Sequence, residues 1–196
     1  LGFTDMDPEG MLTMGFDQLG TMATIYNYDY YPKHMERLGG FEKDNDYVEF
    51  KLFVPKTVPE KYAKVASLIE KRYNLHVKKL TKREIFEEGY GRRIFEIINE
   101  TFAGLYGYSE LTDRQIEQYI GMYFPMADLD LITLIEDWNA DKKIVGVGIT
   151  LPSLAKALQK CRRGRLTPFG WWHILRALKF GHTKIVDLLL VGILPE

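Results

Sequence analysis

The sequence predicts an α/β (α+β) fold in which helices flank a sheet. Of its 196 residues, 46% are apolar and 27% are charged, which is the composition of an ordinary globular protein. From residue 75 onward, the hydrophobic patterns follow the order strand, helix, helix, hairpin, two helices, strand. Three short sequences with the spacing of a capping box add helix starts to that order.

The first 74 residues carry fewer regular patterns. A strand end is predicted at 1–4, and turn-forming residues dominate the segment up to residue 30. A short helix then begins near Pro32 and ends at Gly39-Gly40. Residues 47–54 (YVEFKLFV) alternate in the period of a strand. A capping-box spacing from Thr57 to Glu60 predicts a helix that ends at Asn74.

The rest of the chain gives clearer patterns. Capping boxes at Thr81 and Thr112 begin two predicted helices, the first a single long one that reaches residue 105. Thr167, followed by Pro168, is the predicted N-cap of a late helix. The other predicted elements are strands at 75–80, 129–138, 144–149 and 185–193 and a helix at 152–160. The strand at 185–193 is apolar on both faces, which predicts an interior position in the sheet.

Charge and composition argue against several kinds of partner. Lys and Arg number 26 and Asp and Glu number 27, so the net charge is −1. A near-neutral chain has no general electrostatic attraction to nucleic acid or to anionic lipid, so we expect neither nucleic acid nor a membrane as a partner. The longest apolar run, LLLVGIL, is far shorter than the ~20 residues of a membrane-spanning helix. The single cysteine, Cys161, is typical of a reducing cytoplasm, where we expect the protein.

Two groups of residues could carry chemistry. Four tyrosines lie within six residues (Tyr26, Tyr28, Tyr30 and Tyr31), and they either pack together or form the wall of a substrate pocket with a proton donor. The basic stretch KCRRGR at 160–165 is either a solvated helix end or a phosphate-binding cluster. The four histidines are scattered without the spacing of a metal site, so no metal is expected.

Two further stretches carry a family resemblance. Residues 30–41 (YYPKHMERLGGF) precede the strand pattern at 47–54, and residues 185–196 are IVDLLLVGILPE. The first resembles the short helix, Leu-Gly-Phe turn and last strand that close a domain of the GNAT acyltransferase superfamily. The second resembles the central GNAT strand that ends in Val-x-Pro-Glu just before the acyl-CoA loop. The order of elements between them is also similar to the first half of that fold.

The resemblance implies a mixed, largely antiparallel sheet flanked by helices, but with its closing elements first. Residues 1–54 would be the C-terminal part of a first GNAT-like unit, 55–74 a linker helix, and 75–196 the N-terminal part of a second unit. Alternatively, the two parts form one composite domain. The loop that binds the acyl-CoA pyrophosphate would then lie outside this chain, which alone would be inactive. We also expect the edge of the strand at 185–193 to be covered, by a homodimer partner or by residues 1–54.

The function implied by the resemblance is transfer of an acyl group from acetyl-CoA to the amine of a small molecule or peptide. The alternative is a non-catalytic, acyltransferase-like module that binds a ligand or a partner. Many family members place a proton-donating tyrosine where this chain has Met35, so Tyr31 or Tyr30 would have to take that role. The remaining predicted site residues are Tyr26, Asn27 and Tyr28 for the substrate and Val191, Gly192 and Ile193 for the cofactor.

Overall fold

The structure is a computed structural model that describes residues 9–21, 23–125, 127–180 and 184–195. The helices are α1 (Tyr30–Leu38), α2 (Glu60–Tyr73), α3 (Lys82–Phe86), α4 (Tyr90–Phe102), α5 (Asp113–Tyr123), α6 (Ala155–Lys160) and α7 (Gly170–Leu175), which a π-helical turn (Arg176–Phe180) continues. The strands are β1 (Leu75–Lys78), β2 (Ile132–Asp137), β3 (Lys143–Pro152) and β4 (Val186–Ile193). The strand predicted at 1–4 lies outside the described residues.

The four strands form one sheet in the order β1-β2-β3-β4, and each neighbouring pair is antiparallel. The predicted α/β class, with a largely antiparallel sheet and flanking helices, is therefore confirmed. The predicted hairpin is also confirmed, since β2 and β3 pair directly. The short loop between β2 and β3 suits this pairing, because antiparallel neighbours need no long crossover.

The core lies between α4 and one face of the sheet. Ile94 and Ile98, one turn apart on α4, are fully buried, as are Ile132 and Leu134 on β2. Along β2, burial alternates residue by residue, which is the pattern of a strand with one covered face. The other face exposes apolar side chains, among them Val77 of β1 and Val191 and Ile193 of β4.

Two of the three predicted capping boxes are confirmed. At Thr81 and at Thr112, the hydroxyl accepts a hydrogen bond from the backbone of the third helical residue, whose side chain bonds back to the cap. The prediction at Thr57 is wrong, since α2 begins after Pro59 without a side-chain cap. The single long helix predicted from residue 82 is also wrong. It breaks between Phe86 and Tyr90, where Gly89, the N-cap of α4, takes a φ of +79° that suits glycine.

Three further predictions are corrected by the structure. Residues 47–54 form no strand and are exposed, because the described chain offers them no neighbouring strand to complete their backbone hydrogen bonds. The late helix begins after Phe169 and not at Thr167. The strand β4 lies at the end of the sheet and not in its interior, and among the described residues of the first 54 none pairs with it.

A small unit formed by α6 and α7 separates β3 from β4. Cys161 is buried at its centre, and its thiol lies 3.4 Å from the carbonyl oxygens of Ala157 and Gly170. Gly170 packs so closely on the carbonyl of Arg165 that no Cβ could be placed there without a backbone shift. The unit is therefore held together by close backbone packing around a single thiol.

Candidate functional site

The candidate site is the outer edge of β4. On one side β4 pairs with β3, and within the described chain no strand pairs with its other side. The amide of Leu194 donates to the carbonyl of Val145 over 2.9 Å. Because hydrogen-bonding direction alternates along an antiparallel strand, Val191 and Ile193 present their N–H and C=O groups away from β3. This edge can therefore accept hydrogen bonds from, and donate them to, an extended ligand.

Packing of α4 fixes the position of this edge. Gly192 is buried, and a methyl group at its position would overlap Oγ1 of Thr101 on α4. The helix thus approaches the strand more closely than any larger residue would permit. Among the three residues predicted to bind the cofactor, Gly192 faces α4, whereas the backbones of Val191 and Ile193 face outward.

A bulge changes the direction of β4 next to these residues. Ile149 of β3 pairs with Leu190, but the next residue, Thr150, pairs with Leu188, so Leu189 is left over. A bulge of this kind bends its strand and turns the side chains beyond it. The side chains of Leu188, Val191 and Ile193 are 62%, 48% and 67% exposed, so the edge is also apolar.

The predicted tyrosine residues form an exposed row in and before α1. The rings of Tyr28 and Tyr30 stack at 5.9 Å, and those of Tyr30 and Tyr31 at 4.7 Å. A hydrogen bond with Tyr31 raises the pKa of Tyr30 above its ordinary value. Within the described residues, no hydrogen bond, ion pair or ring contact joins this row to β4.

The other two predicted substrate residues have contacts of their own. Asn27 accepts a hydrogen bond from the amide of Leu12 through its side-chain oxygen. The hydroxyl of Tyr26 donates to the carbonyl of Phe16, and its ring lines an open cleft of about 320 Å³ between residues 18–26 and α6. The cleft is shallow and open to solvent.

Sequence analysis missed a buried acidic residue, Glu136, near the C-terminal end of β2. The carboxylate of Glu136 is 4% exposed, and it accepts hydrogen bonds from Tyr90 Oη (2.7 Å) and Trp138 Nε1 (3.3 Å). Burial, and then the bond to Glu136, raise the pKa of Tyr90. Each carboxylate oxygen accepts a hydrogen bond from a neighbouring side chain and the residue is almost fully buried, which indicates a structural role. The alternation of β2 could have identified it, because Glu136 follows Ile132 and Leu134 on the covered face.

An ion pair lies beside this carboxylate. Lys78 and Glu84 are 2.5 Å apart, and the ammonium of Lys78 also lies 5.0 Å from the ring of Tyr90. Hydrogen bonds from Lys78 and from the Thr81 cap lower the pKa of Glu84 to about 2. The pair joins β1 to α3. As far as the structure describes the chain, no group of three metal-ligating side chains is placed to hold a metal ion.

Sequence similarity links this chain to a named protein. The chain is similar to bacterial ceramide synthase of Caulobacter vibrioides (strain NA1000 / CB15N). The two are 28% identical over 98 residues, which is 50% of this chain. The matched segment covers 24% of the length of that relative. No family model matches the chain, and no solved structure matches it. None of the helices described is long and apolar enough to cross a membrane.

Proposed function

We propose that this chain forms part of an acyltransferase that moves an acyl group from an acyl-coenzyme A thioester to an amine. The observation that carries the proposal is the free outer edge of β4, at the end of an antiparallel sheet built in the order strand, helices, hairpin, strand. That order resembles the first half of the GNAT fold, in which the last of these strands leads to the acyl-CoA loop.

The relative supports the same chemistry. Its name denotes the synthesis of ceramide, a lipid in which a fatty acyl group is joined to an amine through an amide bond. The similarity covers half of this chain and about a quarter of the relative. Acyl transfer is therefore proposed for the protein of which this chain is a part.

The β4 edge is suited to the arm of coenzyme A. That arm is extended and contains two amide groups, so it can pair with the outward N–H and C=O groups of Val191 and Ile193 as an added strand does. The exposed aliphatic side chain of Leu188 offers an apolar surface to an acyl chain. Gly192 has no free space on the α4 face, so we assign it to positioning the strand and not to direct contact with the thioester.

In the proposed reaction, the amine nitrogen attacks the thioester carbon and the carbon–sulfur bond breaks. The amine loses a proton to a base, and the departing thiolate gains a proton from an acid. Tyr31 or Tyr30 is the proposed acid, and acetyl-CoA is the proposed acyl donor. The acceptor is an amine on a small molecule, a lipid or a peptide.

A pair of proline substitutions tests the role of the edge. Val191→Pro removes one outward amide from β4, and Val77→Pro does the same on β1 at the opposite edge, where residue 77 also faces outward. In the full-length protein, release of free coenzyme A from acyl-CoA is measured with a thiol reagent in the presence of a long-chain amine. Loss of one hydrogen bond to the acyl donor should raise its KM by about 3- to 10-fold in Val191→Pro alone.

The results separate the possible outcomes. If both proline variants raise the KM for the acyl donor equally, or if neither raises it, the β4 edge is not the donor site. Unchanged activity in both Tyr30→Phe and Tyr31→Phe would remove these residues from the mechanism and leave the edge assignment standing.

A non-catalytic binding module is the second candidate. It is favoured by the burial of Glu136, which is 4% exposed on the covered face of the sheet and so lies out of reach of an amine in solvent. Binding of acyl-CoA to the full-length protein without any release of coenzyme A would support this candidate over the enzyme.

A further inference from the structure

The segment between β3 and β4 has an unusual charge. We call residues 153–185 the basic insertion; it contains α6, α7 and the π-helical turn, and it has no Asp or Glu. Its cations are Lys156, Lys160, Arg162, Arg163, Arg165, Arg176, Lys179 and Lys184. The rest of the chain has 18 Lys and Arg against 27 Asp and Glu, a net charge of −9. The near-zero net charge therefore hides a strong separation of charge.

Five described cations of the basic insertion are free to meet a partner. Lys160, Arg162 and Arg165 are exposed between α6 and α7, and Arg176 and Lys179 are exposed on the turn after α7. Within the described part of the chain, no ion pair involves any of these five side chains. Their charge is thus not neutralised by the protein itself.

The same insertion exposes large apolar side chains. Phe169 is 71% exposed and Phe180 is 67% exposed, and the rings of Trp172 and Phe180 stack at 6.3 Å. Residues 169, 172, 176 and 180 follow one another at helical spacing, so aromatic and basic side chains share one face of this helix. Leu166, before α7, adds an exposed aliphatic side chain.

We propose that the basic insertion binds the surface of an anionic lipid bilayer. Helices that lie in a membrane interface combine Lys and Arg with Trp, Phe and Leu, so that apolar side chains enter the headgroup region while cations meet lipid phosphates. Aliphatic side chains at Leu166 and at Val186, the first residue of β4, favour lipid over nucleic acid, because they cannot stack on bases as aromatic rings do. The inference replaces the expectation, drawn from net charge alone, that a membrane is not a partner.

The proposal is independent of the acyl-transfer chemistry. Membrane binding requires only the charges and the exposed rings of the basic insertion. It would also bring the β4 edge next to a lipid surface, because β4 directly follows the insertion in the chain. It also needs no membrane-spanning helix, since interfacial helices lie in the plane of the membrane.

Vesicle flotation tests the electrostatic part. The chain is mixed with phosphatidylcholine vesicles that contain either no or about one-third phosphatidylglycerol, a fraction chosen to resemble strongly anionic membranes. We expect binding to the anionic vesicles only, and weaker binding as the salt concentration rises. Replacing Lys160, Arg162 and Arg165 together by alanine should lower the partition coefficient by about 100-fold, since each cation at such a surface contributes about fivefold.

A matched control removes the same number of cations elsewhere. Lys61, Lys64 and Lys71 lie exposed on α2, and their replacement by alanine should leave vesicle binding unchanged. If the α2 variant loses as much binding as the insertion variant, the attraction is general and the proposal is wrong. Absence of binding to anionic vesicles by the unmodified chain would also overturn it.

The aromatic part is tested without disturbing the charges. Lipids brominated in their acyl chains quench tryptophan fluorescence at close range. In Trp138→Phe, only Trp171 and Trp172 report, and vesicle binding should quench them. In a variant that lacks Trp171 and Trp172, the fluorescence comes from Trp138 alone, and brominated vesicles should not quench it. Tight binding to single-stranded RNA, with no quenching by brominated vesicles, would assign the insertion to nucleic acid and refute the lipid proposal.

Discussion

Replacing Gly192 by alanine should destabilise the fold by about 1–3 kcal/mol, which is the usual cost of overpacking a well-filled core. The added methyl would overlap Oγ1 of Thr101 and lie 3.2 Å from its Cβ and 3.4 Å from its Cγ2. The hydroxyl cannot turn away freely, because it donates to the carbonyl of Ile97 over 2.7 Å. Either that hydrogen bond is lost, at ~0.5–1.5 kcal/mol, or α4 moves away from β4.

A double-mutant cycle measures the clash directly. Thr101→Ala removes two of the three atoms that the new methyl would meet, so the double variant should recover at least ~1 kcal/mol relative to the sum of the single effects. Urea unfolding gives the free energies, and the melting temperature of Gly192→Ala should fall by roughly 2–4 °C for each kcal/mol. Additive effects would refute the argument.

Gly148→Ala on β3 is the matched control for this cycle. A Cβ at that position meets no atom within 4 Å, and the residue has no positive φ. Alanine there should be neutral or stabilise the protein by up to ~1 kcal/mol, because it restricts the unfolded chain. A loss of stability as large as that of Gly192→Ala would show that alanine is tolerated poorly anywhere in the sheet, and the specific contact with Thr101 would not be the cause.

Two further predictions concern the local contacts around the sheet. The folded state lowers the pKa of Glu84 to about 2, so the Lys78–Glu84 pair should stabilise the protein at neutral pH and lose that effect as the pH falls from about 4.5 to about 2. Urea unfolding at a series of pH values should show that the difference in free energy of unfolding between the wild type and Lys78→Met shrinks over that range. A constant difference would contradict the assignment. Thr112→Ala should lower the stability of the protein by ~1 kcal/mol, because it removes a helix cap. Thr57→Ala changes a position without such a cap and should leave thermal unfolding unchanged. Equal losses of stability in the two variants would contradict the assigned caps.

The elements that were predicted correctly from the sequence are those that form through contacts between residues close to one another in the sequence. The caps at Thr81 and Thr112 need only four successive residues, and the β2–β3 hairpin needs only a short turn between two strand patterns. The wrong strand at 47–54 shows the limit of such patterns. Alternation is necessary for a half-buried strand, but a strand also needs a partner, and no local pattern supplies one.

The strand of the candidate site was predicted, but its place in the sheet was not. The sequence selected Val191 and Ile193, but it placed their strand inside the sheet, because an apolar run does not show whether a strand lies at an edge. It did not find the buried Glu136, although the alternation of β2 places that residue on the covered face, because its partner Tyr90 lies on α4, far away in the sequence. Net charge likewise concealed the basic insertion, since a sum over the whole chain contains no information about where the charges lie.

The burial of Cys161 turns the only thiol of the chain into a reporter of local opening. The residue is 5% exposed and its sulfur lies between the carbonyls of Ala157 and Gly170, so it can react with an alkylating reagent only when α6 and α7 separate. Under conditions where closing is faster than alkylation, the labelling rate divided by that of a free thiol gives the equilibrium constant of this separation. Mass spectrometry of the intact chain would then follow the motion of one small unit without any introduced probe, because each molecule can gain a single label.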